Sequence, residues 1–221
     1  MKLHTFIFNK THKNTFIIIL LCAIFFIFSA VSYSKAVTED ISSKVFRLHV
    51  VANSDTEEDQ NLKYKVRDGI IDYMNFLTSD IDSKAQAISI AKEHLADFKN
   101  IAQKIVYENG FDYPIAVEIG NFDFPTKYYG DISLPSGYYD ALRIKIGNSE
   151  GHNWWCVMFP PLCFVDVSSG VVPDESKQNL QENLSQEDYS IISEDSGISI
   201  FKFKIIEMIN NLTIKLAQNN D

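Results

Sequence analysis

The run from Asn153 to Cys163, NWWCVMFPPLC, brings two thiols, two indoles and two prolines together, with His152 directly ahead of it. Thiols so placed can act as a nucleophile, as metal ligands or as a disulfide. A redox or nucleophilic cysteine calls for a Cys-x-x-Cys spacing or an adjacent base, and the residues between Cys156 and Cys163 supply neither. A zinc site would take His152, Cys156 and Cys163 and leave one position open, but the gap between the cysteines matches no common ligand spacing and the sequence offers no fourth ligand. Pro160 and Pro161 exclude a helix here, since each lacks a backbone donor and restrains the residue before it. If Met158 to Pro161 form a four-residue hairpin connection, Cys156 faces Cys163 across the strands, at the short separation a disulfide needs. Closing that loop stabilises the fold by roughly 2 to 3 kcal/mol on the chain-entropy model. On a strand, Trp154 and Trp155 point to opposite faces, so one packs inward and the other is either a binding anchor or a cover for the core edge.

Other clusters carry less chemistry. Asn53, Asp55, Glu57 and Asp59 alternate like an EF-hand loop, but Glu58 stands where the turn glycine belongs and Tyr64 where the closing bidentate Glu belongs. These acids are expected to cap a helix instead. His49, His94 and His152 fall in three different elements without His-Glu-x-x-His spacing. No Gly-x-Ser-x-Gly elbow or phosphate-cradling glycine loop occurs. Lys63, Lys65, Arg67 and Asp68 read as a solvated helix face. The expectation is a chain that is not an enzyme, with no catalytic residues, no metal site and no cofactor. Its candidate partner-binding residues are Asn53, Asp55, Asn153, Trp154 and Trp155, because two polar loops, 53–55 and 148–153, lead into an aromatic pair, and binding residues concentrate on such loops.

The elements that must position them are legible from periodicity. VFRLHVVA, Val45 to Ala52, is rich in β-branched residues and predicts a strand. Ser54, Asp55 or Thr56 then caps a helix to about Leu77, with Leu62, Val66, Ile70, Tyr73 and Leu77 at helical spacing. A second helix starts near Asp82 or Ser83, carries Ala85, Ile88, Ala91, Leu95, Phe98, Ala102 and Ile105 on one face, and stops at Gly110. From Tyr113 the chain alternates in short runs broken by Pro and Gly, which predicts four or five antiparallel strands ending with LCFVDV. The fold class expected is α+β: a two-layer domain with an antiparallel sheet and two long helices on one face. Domain 33–170 is that body. Residues 171–199, rich in Ser, Gln, Asn, Glu and Asp, read as an acidic flexible linker. Residues 200–217 read as an amphipathic helix with Phe201, Ile205, Met208 or Ile209, Leu212 and Leu216 on one face.

Compartment and charge narrow the partners. Lys2, Lys10 and Lys13 precede an apolar run from Phe16 to Phe28 and the small residues Ser29, Ala30, Ser32 and Ser34, the order of a secretory signal. Residues 1–32 are thus expected to be a signal peptide, cleaved, or else retained as an anchor. The chain is expected to be exported, and with Cys22 inside the signal the two remaining cysteines have one pairing in an oxidising space. Removing three lysines with the signal takes the net charge from −9 to −12. So acidic a body repels phosphate backbones and anionic headgroups, so the expected partner is a protein, with no nucleic acid and with membrane contact only through an uncleaved signal segment.

FRLHVVANSDTEEDQNLKYKVRD (Phe46 to Asp68), FPTKYYG (Phe124 to Gly130), GYYDALRIKIGNSEGHNWWCVMFPPLCFVD (Gly137 to Asp166) and the terminal FKFKIIEMINNL resemble the stage II sporulation protein R family. The resemblance implies export by the forespore of an endospore-forming bacterium into the space between its membrane and the mother cell's. It implies a signalling protein that triggers a membrane-embedded aspartic protease of the mother cell, which then cleaves the sigma-E precursor. The family's two cysteines fall on Cys156 and Cys163. Met208 stands where the family often has a tryptophan in the last helix. A secreted, metal-dependent hydrolase using His152, His49 and the acidic strand end is the alternative.

Overall fold

The computed structural model describes residues 2–78, 81, 83–162, 172, 174–193 and 203–212, with the side chains of residues 2–12 excepted. Helix α1 runs unbroken over Lys2–Lys44. Its stretch from Lys13 is long and apolar enough to cross a membrane, with a mean hydropathy of 2.7. Phe16 to Phe28 stand largely exposed, whereas Ser34, Val37, Thr38 and Ile41 are buried in the body. The apolar segment and the first packed turns of the body therefore share one helix. This N-terminal helix is compatible with a signal peptide or an anchor.

Strand β1 is Phe46–Val51, and every residue in it is buried. Helices α2 (Glu57–Leu77), α3 (Lys84–Glu93) and α4 (Leu95–Glu108) follow. Then come strands β2 (Ile115–Phe124), β3 (Lys127–Tyr129), β4 (Ile132–Leu134), β5 (Gly137–Ile146) and β6 (Asn153–Phe159). Four of them form one sheet in the order β2-β5-β1-β6, while β3 and β4 pair separately. The α+β class expected from the sequence is what the chain adopts.

The sheet is mixed rather than antiparallel. β1 runs parallel to β5, with Leu48 opposite Leu142 and Val50 opposite Ile144, and antiparallel to β6. A parallel neighbour needs a long crossover, and the three helices plus β2 to β4 supply it. The signal lay in VFRLHVVA itself: a strand buried on both faces is nearly continuously apolar, as a central strand is, and does not alternate.

Three further expectations are corrected. The second long helix is broken at His94, whose φ of −101° and ψ of 19° leave the helical region. Its amide closes α3 onto Ile90, and its carbonyl accepts from Asp97 and Phe98 to open α4. Residues 171–199 do not form a linker throughout. Within them α5 (Asp174–Asn183) and α6 (Gln186–Ile192) bury Leu180, Ile191 and Ile192. Those apolar residues are few, and the polar composition between them masked their spacing. The final helix, described over residues 203–212, buries Phe203 and Ile206 but leaves Met208 and Leu212 exposed. Asn210 fixes it to the body, donating to Thr38 Oγ1 at 2.8 Å and to the Ser136 carbonyl at 2.8 Å, and accepting from Ser34 Oγ at 3.0 Å. The predicted LCFVDV strand lies outside the described residues from Cys163 onward.

Candidate functional site

At the C-terminal end of β1 the chain turns through Asn53 to Thr56 into α2, beside the 147–153 loop between β5 and β6. Thr56 caps α2, its Oγ1 accepting from the Asp59 amide at 3.3 Å. Asp59 is buried, and its Oδ2 accepts from Ser54 Oγ at 2.6 Å and Asn53 Nδ2 at 2.8 Å. Burial pushes the Asp59 carboxyl up, but these hydrogen bonds outweigh it and hold it below the usual carboxylate range. Asn53 Oδ1 accepts from the Asn148 amide at 2.9 Å, while the Asn53 and Ala52 carbonyls accept from Glu150 and Gly151. Gly147 has a φ of +57°, and a methyl group there would collide with the Asn53 carboxamide. Asp55 Oδ1 accepts from both the His152 amide and Nδ1, each at 2.5 Å. The backbone bond leads in holding the Asp55 carboxyl low. Asn53 and Asp55 are therefore committed to joining two loops.

Asn153, Trp154 and Trp155 begin β6, which lies against β1. Asn153 Oδ1 sits 2.8 Å from His49 Nε2. Trp155 stacks on His49 with ring centroids 3.7 Å apart and meets Phe124 edge-on at 4.6 Å. Burial lowers the His49 imidazole to about 4, against the opposing Asn153 hydrogen bond. Trp154 faces the other way, edge-on to Tyr64 at 5.7 Å and under the Arg67 guanidinium at 4.2 Å. The two tryptophans point to opposite faces as expected, yet neither is fully inside or fully out: both are half-buried. The Trp154 Nε1 donor is buried without a hydrogen-bond partner.

Both indoles line one cleft of about 480 Å³, which α2 and β3 also border. Gln60, Lys63 and Tyr64 of α2 and Lys127 to Tyr129 of β3 form its other walls. Lys63 is not on a solvated face: only 2% of it is exposed. Its Nζ donates to Gln60 Oε1 and to the His152 carbonyl. Burial first, then the neighbouring Arg67, lowers its ammonium, and Asp55 acts in the opposite direction. Lys127 is half-buried, and burial and then Arg47 lower it likewise. Behind Tyr129 lies Arg47, fully buried on β1. Its Nη2 donates to the Tyr129 hydroxyl at 2.7 Å, and its guanidinium lies over Phe124 and Tyr139 at 4.1 and 4.7 Å. Arg47 Nε and Nη1 have no hydrogen-bond partner among the described residues.

Five candidate residues thus occupy one end of the sheet in two roles: Asn53 and Asp55 build the turn, Trp154 and Trp155 wall the cleft, and Asn153 borders both. The sequence reading missed Lys63, Lys127 and Arg47. The signal for the α2 wall was the spacing of Gln60, Lys63, Tyr64 and Arg67, a polar stripe at i, i+3, i+4 and i+7. Cys156 is buried and lines the cleft. Cys163 lies outside the described residues. His152 meets Asp55 whereas His49 meets Asn153, and among the described residues no group of three His, Cys, Asp or Glu side chains is placed to hold a metal ion.

Residues 42–169 match the family described as stage II sporulation protein R. Stage II sporulation protein R of Bacillus subtilis (strain 168) is 39% identical over 137 residues, which are 62% of this chain. The match spans 61% of that relative's length. No solved structure matches the chain. The matched residues contain β1, the polar turn, α2, the β3 wall and the paired tryptophans, and the chain belongs to the stage II sporulation protein R family.

Proposed function

We propose that this sporulation protein is exported from the forespore and activates a membrane-embedded aspartic protease of the mother cell, leading to cleavage of the sigma-E precursor. It acts as a ligand and not as a catalyst. The observation that carries this reading is the cleft itself: half-buried tryptophans beside lysines that form no ion pair among the described residues, the composition of a protein-binding hot spot. A ligand shifts its receptor only through unequal affinity for two states, so the cleft must hold the protease's active arrangement more tightly than its resting one. The apolar part of α1 directs the chain across the forespore membrane, and if uncleaved it also confines the body to the membrane surface. A Cys156–Cys163 disulfide is part of the proposal, since it would pin the end of β6 that carries the tryptophans.

The test is co-expression of the chain with the candidate protease and the sigma-E precursor. Variants at Asn53, Asp55, Asn153, Trp154 and Trp155 are each checked for secretion and thermal unfolding. A folded, exported and silent variant at Asn153, Trp154 or Trp155 supports the reading, whereas one at Asn53 or Asp55 would move the contact to the turn. If every silent variant is also unfolded, the contact lies elsewhere. Stoichiometric zinc in the purified protein, with signalling lost on chelation, would favour the hydrolase instead.

A further inference from the structure

The protein carries a net charge of −9, yet its tryptophan cleft has the opposite sign. Among the described residues lining it there is no Asp or Glu, while Lys63 and Lys127 both stand in its walls. Among the described residues neither lysine has an ion-pair partner, although Asp55 attracts Lys63 from outside ion-pair range: the Lys63 ammonium spends its hydrogen bonds on an amide oxygen and a carbonyl, and the Lys127 ammonium makes none. Several lysines elsewhere on the body do pair, as Lys84 does with Asp140 at 2.7 Å and Lys145 with Glu118 at 2.9 Å. Arg47 adds a third positive charge behind Tyr129, fully buried and without a carboxylate. Cations withdrawn from water without an anion are costly, so an arrangement that keeps them so is poised to gain by accepting one. In a half-buried site that gain exceeds what the same charges would give on open surface.

Resting on the reading of this cleft as the partner-binding face, we infer that it receives an acidic side chain from an extended segment of the partner protein, seated between Lys127 and Lys63. The carboxylate would accept from one or both ammonium groups, and the residues beside it would lie against Trp154, Trp155 and Tyr64. The size of the cleft suits one or two side chains. The sequence-distant Lys127 is the specific element, because it is the wall cation with no other role in the fold.

The cleft contains its own reporter, since Trp154 and Trp155 are the two tryptophans of the chain. The full chain, held in a neutral detergent, is titrated with an acetylated and amidated hexaglutamate peptide while tryptophan emission is followed. A saturable change is expected, weakened by salt, absent with hexaglutamine, and at least about tenfold weaker in Lys127→Gln, the loss of one charged hydrogen bond. Lys127→Arg should restore much of it. Equal responses to the two peptides, or an unchanged response in folded Lys127→Gln, would overturn the inference. So would a response confined to phosphatidylglycerol vesicles, which would assign the site to lipid phosphate. If hexaglutamate binds as expected while Lys127→Gln still triggers the protease fully, the acidic-peptide site stands and the placing of the protease contact fails, so the two ideas are separable.

Discussion

The polar turn and the neighbouring cleft use similar residues to opposite ends. In the turn, Asn53, Ser54, Asp55 and Asp59 are rich in hydrogen bonds, and nearly all of these go to one another or to the 147–153 loop. In the neighbouring cleft, Lys63 and Lys127 have no ion-pair partner and the Trp154 donor is unpaired among the described residues, and Arg47, behind Tyr129, leaves two donors unmatched. A buried polar group is normally satisfied; the turn comes close to this, with only the Asp59 Oδ1 atom of its carboxylate unmatched, and reads as architecture, whereas the unmatched donors of the cleft are what the proposed partner would meet. Both regions looked alike in sequence, as polar residues beside aromatics. What separates them is where each side chain's hydrogen bonds go.

The largest expected effect falls on the turn. Asp59→Ala removes a buried acceptor and strands Ser54 and Asn53, and should destabilise the fold by about 3 to 4 kcal/mol. Urea unfolding checks it, and a loss under ~1 kcal/mol would mean that the turn is not held by its own network. Next comes pH. The His49 imidazole is held at about 4, against an ordinary value of 6.5. Between these values the unfolded chain holds a proton that the folded chain does not. Stability is therefore full above pH 6.5 and falls as pH drops towards 4, by roughly 3 kcal/mol. His49→Gln should flatten the curve over that window, leaving the acid losses from Asp59 and Asp55, which begin at lower pH. An unchanged slope would mean that His49 is not held buried against Trp155. Gly147→Ala should cost about 2 kcal/mol, from a strained left-handed residue and a displaced Asn53. Lys127→Gln, in the cleft, should change stability by less than ~0.5 kcal/mol, because no intramolecular bond is lost. A large loss there would erase the distinction between the two regions.

Periodicity revealed most of the fold. β1, α2 and the strands from Ile115 were readable, because apolar spacing and turn residues are local signals. Parallel pairing of β1 with β5 was not, since register between residues as far apart in sequence as Leu48 and Leu142 has no local trace. α5 and α6 were hidden because a short helix packed through a few residues such as Leu180 and Ile191 is compositionally a linker. The candidate site was half legible. Asn53, Asp55, Asn153, Trp154 and Trp155 do share one end of the sheet, but their division into turn and cleft depends on partners from other elements. Lys127 could not be associated with Trp154 from sequence, because β3 reaches the cleft only through the tertiary fold.

The central claim is that the cleft, and not the turn, touches the protease. Its most direct test is sigma-E precursor processing by Trp154→Ala and Lys127→Glu, compared with the wild-type chain at equal secreted amounts. Each variant should unfold within about 4 °C of the wild type. Processing is expected to fall at least about tenfold in both, as for a hot-spot residue. Full processing by both folded variants would contradict the account.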